Sequence, residues 1–205
     1  MKKRVLSTQV FPGITHERGA SLIMIMIILT IISILGIAGI KISMMSERGA
    51  RNDRDQQMAW EAAEAALLDA EQDIAGASST RRSIFTPVTN EQAFVDGCGT
   101  SGNSRGLCAM AITGRPVWLT AGFDFSDTSS SAPSTAYGTF TGRTFAAGST
   151  GIQPFQAPRY VIEAIRDPAH RDSGDLSPSY VYRVTAMGFG PRKDIQAVMQ
   201  MIYRK

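Results

Sequence analysis

Apolar residues are distributed along this chain in three successive patterns. From Ala20 to Ile40 they run almost unbroken, 21 residues without a charge. A helix of that length reaches about 31 Å, the depth of bilayer hydrocarbon. Residues 20–40 therefore read as a helix able to span a membrane. Ser33, Gly36 and Gly39, spaced three apart, give it a small-residue strip for close helix contact.

The second pattern follows directly. Residues 41–75 are rich in Ala, Glu, Gln, Leu and Arg and contain no proline, so the same helix is expected to continue. Trp60, Ala63, Leu67, Ala70 and Ile74 fall three and four residues apart, as a narrow stripe that packs on a domain. Glu61, Glu64, Asp69, Glu71 and Asp73 mostly take the other faces. Glu47 with Arg51, and Arg51 with Asp55, are spaced to pair along the helix. Gly36, Gly39 and Gly49 are the places where it is expected to bend.

The third pattern is alternation. RYVIEAI (159–165), YVYRVTAMG (180–188) and IQAVMQMIY (195–203) carry β-branched and aromatic residues at period two, which predicts an antiparallel meander. Gly188, Gly190 and Pro191 suit its last hairpin. PVWL (116–119) is expected either to add a strand or to set Trp118 against the helix stripe. From Ser126 to Gly151, 21 of 26 residues are Ser, Thr, Gly, Ala or Pro, the composition of a long loop. Tyr137, Phe140 and Phe145 are placed to pin that loop to the body. The fold class expected is α+β, a long N-terminal helix packed on an antiparallel β-sheet, with residues 76–205 as the globular part.

Charge and cysteines refine this outline. Four basic residues, Lys2, Lys3, Arg4 and Arg18, precede the apolar run, and Lys41, Arg48, Arg51 and Arg54 follow it, so the positive-inside count is a tie. A cleaved secretory signal has a shorter apolar stretch, about 7 to 15 residues, and a small-residue exit that is missing before Lys41. The run is thus expected to stay in the mature protein. Cys98 and Cys108 are the only two cysteines and lie in a Gly/Ser/Asn-rich loop, as expected of a disulfide in an oxidising compartment.

Candidate chemistry is sparse. His16 and His170 are the only histidines, so no Ser/His/Asp or Cys/His arrangement suggests itself and no enzymatic activity is expected. Asp167, Asp172 and Asp175 sit in a strand connector. Their spacing is not that of a calcium loop, and turn chemistry explains them; no metal or cofactor is expected. The glycines between Gly97 and Gly106 follow no nucleotide-binding fingerprint.

The junction RGASLI (18–23), the segment ERGARNDRDQQMAWEAAEAALLDAE (47–71), GLC with PVW (106–108, 116–118), PRYVIE (158–163) and YRVTAMGFG (182–190) together resemble the type IV prepilins, and among them the PilX family of minor pilins. The resemblance implies a type IV pilin fold. It implies a cytoplasmic leader, residues 1–19, cut by prepilin peptidase between Gly19 and Ala20, with Ala20 then N-methylated. Removing the leader takes four basic residues and Glu17, leaving 17 basic against 17 acidic side chains, which removes the electrostatic case for nucleic acid. A single-pass inner-membrane protein with a periplasmic domain follows, later extracellular in the pilus. The implied partners are other minor pilins, the major pilin and a large tip adhesin. Prepilins generally carry a glutamate where this chain has Met24, and that is its main departure from the pattern. The rival reading is a minor pseudopilin of a type II secretion system, the same fold in another machine.

Overall fold

The computed structural model describes residues 20–167 and 179–205. Its first element, α1, is one continuous helix over Ala20–Ala75, 56 residues. The sequence contains no proline to interrupt it, and helical assignment runs straight through Gly36, Gly39 and Gly49. Contacts divide the chain into two units, one ending at Ala50 and one from Arg51 to Lys205.

In the first unit every described residue from Ser21 to Ala50 is exposed. Among the described residues this is the one helix long and apolar enough to cross a membrane. Two of its polar side chains bond back onto the helix itself: the Thr30 hydroxyl donates to Ile27 O at 2.8 Å and Ser33 to Leu29 O at 2.7 Å.

In the second unit the rest of α1 lies on a five-stranded sheet. The strands are β1 (Leu107–Cys108), β2 (Thr135–Ala136), β3 (Arg159–Arg166), β4 (Tyr180–Phe189) and β5 (Gln196–Arg204). β3, β4 and β5 form the expected antiparallel meander, with Ile162 opposite Val184 and Val184 opposite Met201. The sheet as a whole is mixed rather than antiparallel. β1 joins β3 in parallel, Leu107 opposite Ile162, and β2 joins the same strand antiparallel, Thr135 opposite Tyr160. Strands of two residues leave no alternation to read. Gly188 lies inside β4, and the hairpin turn is made by Gly190–Ile195 instead.

Period-two alternation gives each face of the sheet its own cover. Tyr160, Ile162, Tyr182, Val184 and Ala186 meet the helix residues Ala66, Leu67, Ala70 and Ile74, with Phe85, Phe94 and Leu107 closing the layer. Val161 points the other way, into a cluster with both cysteines, Phe125, Val117, Trp118, Phe123 and Met187. The segment 116–119 is therefore neither a strand nor a helix partner. It forms a 3-10 turn over Val117–Leu119, and Trp118 covers the face remote from α1.

The helix stripe also differs from expectation at one end. Ala63, Leu67, Ala70 and Ile74 are buried, but Trp60 is 48% exposed. A Cβ on Gly188 would stand 2.1 Å from Ala59 O and 2.3 Å from Ala63 N, so helix and strand backbones nearly touch here. Only small residues fit, and the buried positions are Ala59, Ala62 and Ala63. An indole is displaced to the flank.

The loop 126–151 is held down by aromatic residues, as its composition suggested. Phe140 is buried, Thr80 N–H donates to Phe140 O at 3.0 Å, and the Tyr137 and Phe145 rings pair at 5.3 Å.

Replacing Gly188 with alanine drives its new methyl into the α1 backbone. The expected loss is about 2 to 3 kcal/mol, an overpacking cost, read from chemical unfolding of the detergent-solubilised chain. A change within about 0.5 kcal/mol, the scale of ordinary surface substitutions, would show that the contact is not tight.

Candidate functional site

The apolar part of α1 is exposed throughout, and its content is unusual mainly for what it omits. Between Ala20 and Ser46 there is no acidic residue; Glu47 is the first. Met24, 65% exposed, stands within the first two turns. Gly36 and Gly39 have nothing within 4 Å of an added Cβ, leaving open notches beside Ser33. Gly19 lies outside the described residues, and Ala20 is the first helical residue.

Near its other end α1 enters a buried polar node that the sequence reading missed. Asp73 is fully buried and holds Arg81, also fully buried: Nε of Arg81 donates to Oδ1 at 3.0 Å and to Oδ2 at 2.9 Å, and Nη2 donates to Oδ2 as well. Ser79 Oγ donates to Oδ1 at 3.0 Å and Tyr160 OH to Oδ2 at 2.9 Å. The remaining guanidinium nitrogen, Nη1, donates to Asn103 O at 3.1 Å and Arg105 O at 2.6 Å. The guanidinium carbon also lies 3.8 Å from the centre of the Phe140 ring. Helix, disulfide loop, β3 and the long loop thus meet on one ion pair. Burial, together with the Asp73 charge, pushes the Tyr160 hydroxyl well above its ordinary range, so it stays a donor.

One turn earlier Asp69 accepts from Gly138 N–H at 2.7 Å and Thr141 Oγ1 at 2.5 Å, with Arg143 at 3.8 Å. Gly138 has φ +78°, and a Cβ there would meet Arg143 O at 1.9 Å, so the chain needs glycine. Burial outweighs these hydrogen bonds and raises the Asp69 carboxyl above its ordinary range. The sequence pattern places these two acids, with Glu61, Glu64 and Glu71, mostly off the apolar stripe, and here both are buried. The available signal was spacing: Ala62, Ala66, Asp69 and Asp73 follow one another by four, three and four, continuing the buried face.

The disulfide joins Cys98 to Cys108, closing a separation of 10 residues. Such a loop contributes about 2 to 3 kcal/mol by restricting the unfolded chain. Cys98 sits at φ +70°, after Gly97 at +76°. The bridge anchors β1, whose Cys108 is registered opposite Glu163. Glu163 in turn accepts from Nε and Nη2 of Arg183 at 2.8 Å each.

Asp167, one of the three connector acids, is engaged by Arg204 at 3.2 Å. Asp172 and Asp175 lie outside the described residues, as does His170. A cavity of about 410 Å³ opens between the 91–94 and 109–112 segments and the end of β3. Its walls are mostly apolar, and the charged pair there, Arg166 with Glu91 at 2.9 Å, is already matched.

Two family models match the chain. A PilX N-terminal family model matches residues 18–68, and a type IV pilus assembly protein PilX C-terminal model matches residues 95–205. The chain belongs to the PilX family. It is accordingly a minor pilin of the type IV pilus, a structural component whose neighbours are other pilins. No curated relative and no solved structure matches it. The PilX C-terminal match takes in the disulfide, both short strands and the meander, while the N-terminal match ends at Leu68, one residue before the acids of the node.

Arg81→Met leaves Asp73 buried without its cation. The expected cost is about 3 to 5 kcal/mol in unfolding free energy, and the double variant with Asp73→Leu recovers a large part of it. Asp69 gives a pH signature. Its folded pKa lies above the ordinary aspartate value of 3.8, so the folded state binds the proton more tightly and stability from this group falls as pH rises through the two values. The thermal midpoint of Asp69→Asn, taken relative to the parent, should therefore climb as pH rises above 3.8; a flat or falling difference would contradict the burial argument.

Proposed function

We propose that this protein primes pilus assembly and remains at or near the filament tip, where it connects other minor pilins to a large tip adhesin and so supports adhesion and twitching motility. Residues 1–19 form a cytoplasmic leader, prepilin peptidase cuts between Gly19 and Ala20, and Ala20 is N-methylated. Until extraction the subunit is a single-pass inner-membrane protein with its C-terminal domain in the periplasm.

The observation that carries this reading is Met24 in a helix without any acid before Glu47. A buried carboxylate early in a pilin helix is the natural mate of the N-terminal ammonium of the subunit ahead, since low dielectric strengthens a well-placed pair. A subunit lacking that carboxylate has no such docking bond to make with a predecessor. It still offers its own N-terminal ammonium to the next subunit, and such a piece belongs first in the sequence of assembly.

The apolar helix explains why assembly must be coupled to extraction. Leaving lipid for water exposes its whole apolar surface, which at about 25 cal/mol per Å² costs tens of kcal/mol. The helix moves only into a bundle of other pilin helices.

Met24→Glu restores the docking group. The expected result is loss of tip restriction, with labelled subunits spread along the shaft and more copies per pilus. Unchanged stoichiometry together with unchanged tip labelling would sink the priming argument. N-terminal sequencing of the mature protein tests processing separately: methylated Ala20 is expected, and an intact Met1 overturns it.

A further inference from the structure

The cations that follow the apolar run are not alike. Arg54 is matched by Asp55 at 2.9 Å, and Arg51 is engaged as well. Among the described residues Lys41 and Arg48 have no acidic partner, and both are exposed. The first acid after the run, Glu47, stands six residues beyond Lys41 and so on another side of the helix.

Lys41 and Arg48 are seven residues apart, which puts them on one face, and Met44 and Met45 fill that face between them. Lys41, Met44, Met45 and Arg48 therefore make a single strip of cation, two thioethers and cation. The methionines are 52% and 72% exposed, and Ile42 beside them is 67% exposed. Apolar surface thus continues past the first cation. From Ala20 to Ile40 the helix takes up about 31 Å, so Lys41 falls where hydrocarbon gives way to phosphate, and Arg48 stands about 10 Å further on. Helical Cβ atoms lean toward the N-terminus, here the hydrocarbon side. Both long side chains therefore start out toward the membrane surface, and their flexible stems let the charge stay in the polar layer.

We infer that this strip binds anionic phospholipid in the leaflet on the C-terminal side of the span. Lys41 and Arg48 pair with headgroup phosphates, and Met44 and Met45 lie against the glycerol and upper acyl carbons. The surroundings name the occupant: the strip continues the surface of the chain suited to hydrocarbon, and lipid phosphate is the anion at that level. A soluble anion would match the charges and leave both methionines in water, whereas a phospholipid covers both. The result is a hold at a fixed depth, which extraction must break. The inference rests on residues 20–40 spanning a bilayer, and not on a place at the filament tip.

The test uses the full chain in nanodiscs of equal parts phosphatidylcholine and phosphatidylglycerol. Native mass spectrometry of the released protein reads which lipids stay bound. The parent should retain phosphatidylglycerol in excess. Lys2, Lys3, Arg4 and Arg18 can add to that excess, so the deciding quantity is the change from parent to variant. Lys41→Gln with Arg48→Gln should lower the ratio of phosphatidylglycerol to phosphatidylcholine about fivefold or more, since one cation near an anionic surface is worth roughly 1 kcal/mol. Lys41→Arg with Arg48→Lys keeps both charges and should keep the excess. Met44→Ser with Met45→Ser should reduce the amount of lipid held and spare the ratio. Equal retention of the two lipids by the parent, or a glutamine pair within about twofold of it, would overturn the assignment and leave these cations to acids of neighbouring subunits. Failure of the full chain to enter nanodiscs would strike the membrane anchor, and this inference with it.

Discussion

The fold of the second unit depends on the ion pair between Asp73 and Arg81. It is sealed from water, and a buried pair of this kind stabilises only when its remaining hydrogen-bonding positions are filled. Here they are filled by four groups from three segments: Ser79 from the connector, Tyr160 from β3, and the carbonyls of Asn103 and Arg105 from the disulfide loop. A protein with few long elements thereby obtains the order that a larger apolar core would otherwise provide. Irregular segments, which make up most of residues 76–158, acquire fixed positions because they complete a charge that cannot be left incomplete.

The first unit obeys the opposite constraint. Among the described residues its helix is exposed from Ser21 to Ala50, and helical bonding satisfies the backbone groups of its interior, so it suits hydrocarbon and is unacceptable in water. Small positions at Ser33, Gly36 and Gly39 leave room for neighbouring helices. One half of α1 is thus specified by surroundings outside the chain, and the other half by contacts within it. Family membership joins the two, since a minor pilin must be a membrane protein before assembly and a bundled subunit afterwards.

Long, periodic elements were legible from sequence: the apolar helix, its amphipathic continuation and the three-stranded meander each repeat a pattern often enough to be read. The pinned loop was legible from Tyr137, Phe140 and Phe145, because large aromatics in a small-residue tract need somewhere to pack. The strands of two residues were not, since pairing geometry rather than composition defines them. Trp60 misled because periodicity assigns a face but says nothing about how near the sheet comes; Gly188, which sets that distance, is 128 residues away. Asp69 and Asp73 misled for a related reason, as their burial depends on Arg81, from the connector just after the helix, and on Gly138, arriving from the distant long loop.

The near contact of α1 with Gly188 bears on how the domain carries mechanical load. A pull transmitted along the helix acts as shear on the sheet, and flat apolar layers resist shear weakly. At Gly188 the helix backbone lies in a notch that no other position of the strand offers, so sliding by even one residue, about 1.5 Å, would drive neighbouring side chains into the space left for a hydrogen. The glycine therefore acts as a detent. It fixes the station of the sheet on residues 59–63 of the helix.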